Sequence, residues 1–233
     1  PGTTRDAVDI RFEKDGMAYV AIDTAGVRKK SSVSSDIEFY SIARAEAAIR
    51  RANATLLLID AVVPISKVDK HLARYVADQA KPCVLVVNKW DLAAGKANTG
   101  EYADYLLREL PGVKYAPVAF TTATQGRNVE SAIDLARSLF KQASLRVSTS
   151  KLNQALRDAV ERHRPPSPRG ARLRIYYATQ VSTCPPTIVF FVNNPDLVAQ
   201  QYSRYLENRL RETLSFGEVP LRFHFRARRR EKR

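Results

Sequence analysis

Residues 83–91 read Cys83-Val84-Leu85-Val86-Val87-Asn88-Lys89-Trp90-Asp91, five apolar residues followed at once by Asn-Lys-Trp-Asp. A short run this apolar, with polar residues closing it, predicts a strand buried on both faces of a sheet. Ligands of doubly wound sheets bind outside the carboxyl ends of such strands, and the tetrad stands there. An aspartate carboxylate in that place accepts two hydrogen bonds at once from N1–H and the exocyclic amine of guanine, a pair that adenine does not offer. Asn88 would hold the loop in shape, and the aliphatic stem of Lys89 would cover the base face. Taken alone, the same string also suits a polar strand-to-helix turn.

Outward from this strand the chain alternates. Strands are expected at 7–12 and 17–23, facing each other across Lys14-Asp15-Gly16, a hairpin turn by its Asp-Gly pair. A helix over 37–51, a strand at 54–60, a helix over 67–79, the strand at 83–88, a helix near 102–109, a strand at 115–121 and a helix over 128–142 follow. Short apolar strands separated by amphipathic helices indicate an α/β domain with a mostly parallel sheet covered on both faces. The alternation stops near 143–150. Beyond it come a helix over 151–164, a Pro-rich loop, strands around 173–177 and 187–192, a helix over 195–214 and a strand at 221–225. That order is a small α+β unit. The expected domains are 1–146 and 147–233.

Asp23-Thr24-Ala25-Gly26 closes another apolar strand, 65 residues before Asn88-Lys89-Trp90-Asp91. An aspartate at a strand end can hold Mg2+ through water, and Gly26 would let a backbone N–H approach a terminal phosphate. Either string alone also fits a helix N-cap or a turn. Their order along one fold favours nucleotide chemistry. Gly2-Thr3-Thr4-Arg5-Asp6 offers a hydroxyl, from Thr3 or Thr4, for Mg2+ and the γ-phosphate. Thr122-Ala123 ends the last strand of the domain, where the Ala123 N–H would donate to guanine O6.

Composition narrows the partners. Of 233 residues, 45% are hydrophobic and 27% charged, which suits a folded domain and excludes disordered or collagen-like classes. The longest strongly apolar run, 54–59, is far short of a membrane helix, and the opening residues have no apolar signal segment. Two cysteines about a hundred residues apart imply neither a disulfide framework nor a metal site. A cytoplasmic protein is expected. The net charge is +14, and residues 151–233 hold 17 basic against 7 acidic residues. So uneven an excess points to a polyanion, nucleic acid ahead of a membrane surface.

The strings PGTTRD, DTAGVRKK, NKWD and TTATQGRN together resemble the translation-factor-related GTPases that include Era and MnmE. RIYYATQVSTCPPTIVFFVNNPDL followed by YSRYLENRLRETL resembles the C-terminal KH-like domain of the Der (EngA) family, bacterial GTPases of large-subunit ribosome assembly. In that family two GTPase domains precede the KH-like one, so the chain resembles the second of them plus the KH-like domain. The resemblance implies a P-loop-NTPase-type GTPase domain, N-terminally incomplete, followed by a small α+β KH-like domain. It implies GTP and GDP held by Asp23, Thr24, Ala25, Gly26, Val27, Asn88, Lys89, Asp91, Thr122 and Ala123, with Mg2+ served by Thr3, Thr4 and Asp23. The implied partners are the large ribosomal subunit and its rRNA, with no membrane and no DNA.

Three features depart from that pattern. No G-x-x-x-x-G-K-[ST] occurs, so the phosphate-cradling loop and its lysine are missing from these residues. They are expected upstream of Pro1, and the chain as given should bind GTP poorly or not at all. Asn128 stands where the family usually carries glycine, a mild change because Asn tolerates positive φ. Val27 occupies the place where Ras-like GTPases carry a water-orienting glutamine; valine cannot orient water, and the resemblance implies help from a monovalent cation, K+. Lys29 and Lys30 suit either RNA contact or a solvated switch segment.

The C-terminal unit holds no GXXG loop, which argues against backbone clamping of the usual KH kind. Tyr176, Phe190, Phe191, Phe223 and Phe225 suit a core better than base stacking. Arg226, Arg228, Arg229, Arg230, Lys232 and Arg233 form a basic tail suited to non-specific phosphate contact with rRNA. Two functions therefore compete: a GTP-hydrolysing switch in ribosome assembly, and an RNA- or ribosome-binding module on a degenerate nucleotide fold.

Overall fold

The computed structural model describes residues 9–22, 35–93, 95, 98–166 and 172–228. They fall into two compact units, Pro1–Ala136 and Arg137–Arg233.

The first unit opens with a hairpin of β1 (Asp9–Lys14) and β2 (Met17–Ile22), in register from Asp9 opposite Ile22 to Lys14 opposite Met17. Asp15 and Gly16 both have positive φ, 53° and 69°, the geometry of the two-residue turn that matches strand twist. The hairpin is tied to neighbouring helices by Arg51 on Asp9 and Lys14 on Asp134.

Helix α1 (Ser35–Arg51) leads to β3 (Thr55–Asp60), α2 (Lys67–Asp78) and β4 (Cys83–Asn88). The short α3 (Trp90–Ala93), α4 (Thr99–Glu109), β5 (Val118–Phe120) and α5 (Val129–Ser144) complete the series. Strands β3, β4 and β5 lie side by side in that order, all parallel. Helix starts are fixed by side chains: Ser66 and Asp69, then Asn98 and Glu101, form reciprocal capping boxes on α2 and α4.

Strand β4 is the buried strand that its composition predicts, with Cys83, Val84, Leu85, Val86 and Val87 all inside. The core around it gathers Val76 and Leu72 of α2, Leu106 of α4 and Val113. Among the described residues, β3 is covered on one face. Leu57 and Ile59 are buried, whereas Leu56 and Leu58 face outward, Leu58 with 62% of its surface exposed. The mostly parallel sheet is thus, among the described residues, three parallel strands with the antiparallel hairpin as a separate sheet.

The second unit runs α6 (Thr149–Arg162), β6 (Ile175–Ser182), β7 (Thr187–Val192), α7 (Gln200–Thr213) and β8 (Arg222–Ala227). This is the α-β-β-α-β order expected from the sequence. β7 is central, antiparallel to β6 and parallel to β8. The helix expected over 195–214 is broken. Pro195–Leu197 is a single 3₁₀ turn closed by Asn194, and α7 starts only after the extended Val198 and Ala199. Asn153 of α6 accepts from the Ala178 N–H at 2.8 Å and donates to its carbonyl at 2.9 Å, which caps part of the free edge of β6. Gln180, buried, holds the preceding segment by accepting from the Val147 N–H and donating to the Leu145 carbonyl.

Candidate functional site

Parallel pairing brings three strand ends together. Asp60 at the end of β3 lies in register with Asn88 at the end of β4, and Val87 pairs with Phe120 at the end of β5. The segments that leave these ends, 60–63, 88–91 and 121–128, share one edge of the sheet, where doubly wound folds bind ligands.

Asn88 is the tie among them. Its Oδ1 accepts from the Thr121 hydroxyl at 3.2 Å and from the Ala123 N–H at 3.0 Å. Lys89 then turns the chain out of the strand with φ 61°. Its ammonium reaches back to Asp60 at 2.8 Å, where the carboxylate side chain is only 5% exposed. Trp90 points inward, its N–H bonded to the Thr121 carbonyl and its ring 4.5 Å from Phe120 and 5.5 Å from Tyr102. With Trp90 pinned, Asp91 is left exposed on the first turn of α3.

The 121–128 loop is closed by its own backbone. Thr122 and Arg127 exchange hydrogen bonds in an isolated bridge, and Gly126 supplies the left-handed residue that ends the 3₁₀ turn Ala123–Gln125. Asn128 does take positive φ, 57°, and its Nδ2 donates to the Phe120 carbonyl at 2.9 Å.

The arrangement offers an exposed carboxylate, Asp91, on a loop fixed at Lys89, Trp90 and Asn88. A carboxylate so placed can accept two hydrogen bonds at once. The loop-holding role expected of Asn88 is what its bonds to Thr121 and Ala123 provide. One detail differs from the sequence reading: the Ala123 N–H, expected to face guanine O6, is directed at Asn88. The Lys89 ammonium is anchored on Asp60 while its side chain stays half exposed. Sequence reading missed Asp60, Thr121 and Trp90 as parts of the site. The signal for Asp60 was present: a lone carboxylate closing the apolar run 55–60, as Asp23 closes its own.

The residues expected to serve phosphate and Mg2+, Thr3, Thr4, Asp23, Thr24, Ala25, Gly26 and Val27, lie outside the described residues, as do Arg229, Arg230, Lys232 and Arg233. Among the described residues no three His, Cys, Asp or Glu side chains form a metal cluster, and no helix is long and apolar enough to cross a membrane. Arg226 is exposed on β8, and Arg228 lays its guanidinium 5.3 Å over the Tyr176 ring.

The fold and the family models that match it make this a GTPase-type α/β unit followed by a KH-like unit. Residues 1–89 match a family model described as 50S ribosome-binding GTPase, and residues 146–226 match one described as the C-terminal KH-domain-like region of EngA bacterial GTPase enzymes. Over nearly its whole length the chain is homologous to the Der (EngA) GTPases. It is 45% identical over 229 residues to the GTPase Der of Rhodopirellula baltica, covering 98% of this chain and 50% of that protein. To the GTPase Der of Natranaerobius thermophilus it is 43% identical over 231 residues, covering 99% of this chain and 52% of the relative. The chain thus spans about half the length of these curated relatives. A crystal structure of Era in complex with MgGDPNP and nucleotides 1506–1542 of 16S ribosomal RNA superposes with a TM-score of 0.50 at 17% identity, over 97% of this chain and 82% of that one. At that identity the likeness is one of fold.

Proposed function

We propose that the chain is part of a GTP-binding and GTP-hydrolysing switch that acts in assembly of the large ribosomal subunit in the cytoplasm. Residues 1–146 would form the nucleotide domain and 147–233 a KH-like domain in contact with rRNA. The observation that carries this reading is the Asn88 tie. One side chain joins the β4 loop to the β5 loop and leaves Asp91 outward for guanine N1–H and its amine. Ala123 would support that choice once a base competes with Asn88 for its N–H.

Asp23 with Thr3 or Thr4 would hold Mg2+, and the Gly26 N–H would read the γ-phosphate. Mg2+ supplies charge neutralisation at the phosphates when bound. Val27 has no group to orient the attacking water, so hydrolysis would draw on other groups and on K+. Ordering of the Thr3–Thr4 and Gly26–Lys30 loops by the γ-phosphate would give the switch its two states. The basic tail from Arg226 to Arg233 would hold rRNA phosphates.

The test is titration of the complete protein with a fluorescent GDP analogue in Mg2+, with GTP, GDP and ATP as competitors. Displacement by GTP and GDP but not by ATP is expected. Equal displacement by ATP, or no binding, would discard the switch and leave an RNA-binding module on a nucleotide fold.

A further inference from the structure

The fold divides the aromatics of β6, β7 and β8 between two faces of one sheet. Phe190 is fully buried, with the rings of Phe223 and Phe225 at 4.8 and 5.0 Å. Side chains alternate along a strand, so Phe191 projects from the opposite face. Its cross-strand partners are Tyr177 on β6 and Arg226 on β8, which makes one row of Tyr177, Phe191 and Arg226. The Tyr177 and Phe191 rings stack at 4.4 Å with 16° between their planes.

Tyr177 leaves 41% of its surface in water, and Tyr176 beside it leaves 45%. Here the second cation, Arg228, lies over Tyr176 just beyond the end of β8. Neither Arg226 nor Arg228 is held by a carboxylate among the described residues. The face therefore combines flat apolar area with uncompensated positive charge.

We propose that this face binds single-stranded RNA, with an unpaired base stacked on Tyr177 and the flanking phosphates on Arg226 and Arg228. The proposal rests on the reading that the KH-like unit contacts RNA, and adds where and in what form. Adjacent strands lie about 4.8 Å apart, which places Arg226 roughly 10 Å across the sheet from Tyr177, within a long side chain's reach of a phosphate next to the stacked base. Stacking tolerates any base, so the site would select an unpaired strand and not a sequence. A duplex keeps its base faces covered and offers this row phosphates alone. The excess of basic residues over 151–233 gives the charge complementarity.

The experiment is fluorescence anisotropy of the full chain with a labelled 12-nucleotide single-stranded RNA and with a duplex of the same length. Tyr177→Ala is expected to weaken single-strand binding on the order of tenfold and to leave duplex binding unchanged. Tyr177→Trp should keep the affinity, and its added emission should be quenched on binding, which also shows that the position tolerates substitution. Arg226→Ala should make the salt dependence of single-strand binding shallower, by about 0.7 in the log–log slope. Unchanged single-strand affinity in Tyr177→Ala, or equal losses on both RNAs, would overturn the stacking face and leave phosphate contact standing. Displacement of the RNA by polyglutamate as readily as by unlabelled RNA would assign the face to an acidic polypeptide instead. No binding of either RNA by the unsubstituted chain would overturn this proposal together with the reading beneath it.

Discussion

Lys89 and Asp60 meet at the point where two strands end, one charge half in solvent and the other buried. Removing the cation leaves the carboxylate inside without it. Lys89→Met should lower stability by roughly 1–3 kcal/mol, toward the low end because solvent screens the exposed partner. Lys89→Met with Asp60→Asn should regain much of the loss. Urea unfolding reports both, read through Trp90, the single tryptophan, which packs in the same loop. The partnership was not legible in sequence because only the β3–β4 register sets Asp60 beside Asn88. Asn88 and Asp91 stood out in sequence because they close an apolar strand, although a polar strand-to-helix turn would place polar residues there too.

Cys83 makes a second prediction. Burial pushes its thiol from 9.0 to about 12, because the interior disfavours the thiolate. The unfolded chain ionises near pH 9 and the folded chain only near pH 12. The stability linked to this group is therefore whole below pH 9 and is lost as pH rises toward 12, by up to about 1.4 kcal/mol per pH unit. Cys83→Ala should flatten that decline in urea midpoints measured between pH 8.5 and 10.5. Native Cys83 should also stay unmodified by a thiol reagent that labels it in denaturant.

At the scale of elements, the two helices of the second unit are joined by phenols. Tyr205 donates to the Ala159 carbonyl at 2.7 Å and Tyr202 to the His163 carbonyl at 3.0 Å. The His163 carbonyl lies just past the last residue of α6, and the Ala159 carbonyl, which already accepts from the His163 N–H, takes Tyr205 as a second donor. Burial raises the Tyr202 hydroxyl well above its ordinary value, so it stays a donor throughout the neutral range. Tyr205→Phe should cost about 1 kcal/mol in thermal or urea unfolding, with the fold kept. The apolar spacing of Tyr202, Leu206 and Leu210 revealed this buried face from sequence, and Lys67–Asp78 and Cys83–Asn88 fell where periodicity put them. The start of α7 did not. Its apolar pattern runs straight through Val198, whereas Asn194 and Pro195 favour a tight local turn that the periodicity does not register. β5 is likewise shorter than its apolar stretch, because pairing with β4 covers only 118–120.

Across the whole molecule, a strand-end site occupies one unit and most of the excess positive charge the other. The nucleotide side of the account turns on Asp91, whose carboxylate would accept twice from guanine. Asp91→Asn replaces one acceptor by a donor and so matches xanthine, which carries a carbonyl in place of the amine. The decisive titration is of the complete protein and its Asp91→Asn variant with fluorescent GDP and fluorescent xanthosine diphosphate in Mg2+. The account predicts that the variant loses GDP at the site Asp91 serves and gains xanthosine diphosphate there, each by tenfold or more. Unaltered GDP binding at that site, with no gain for xanthosine diphosphate, would contradict it.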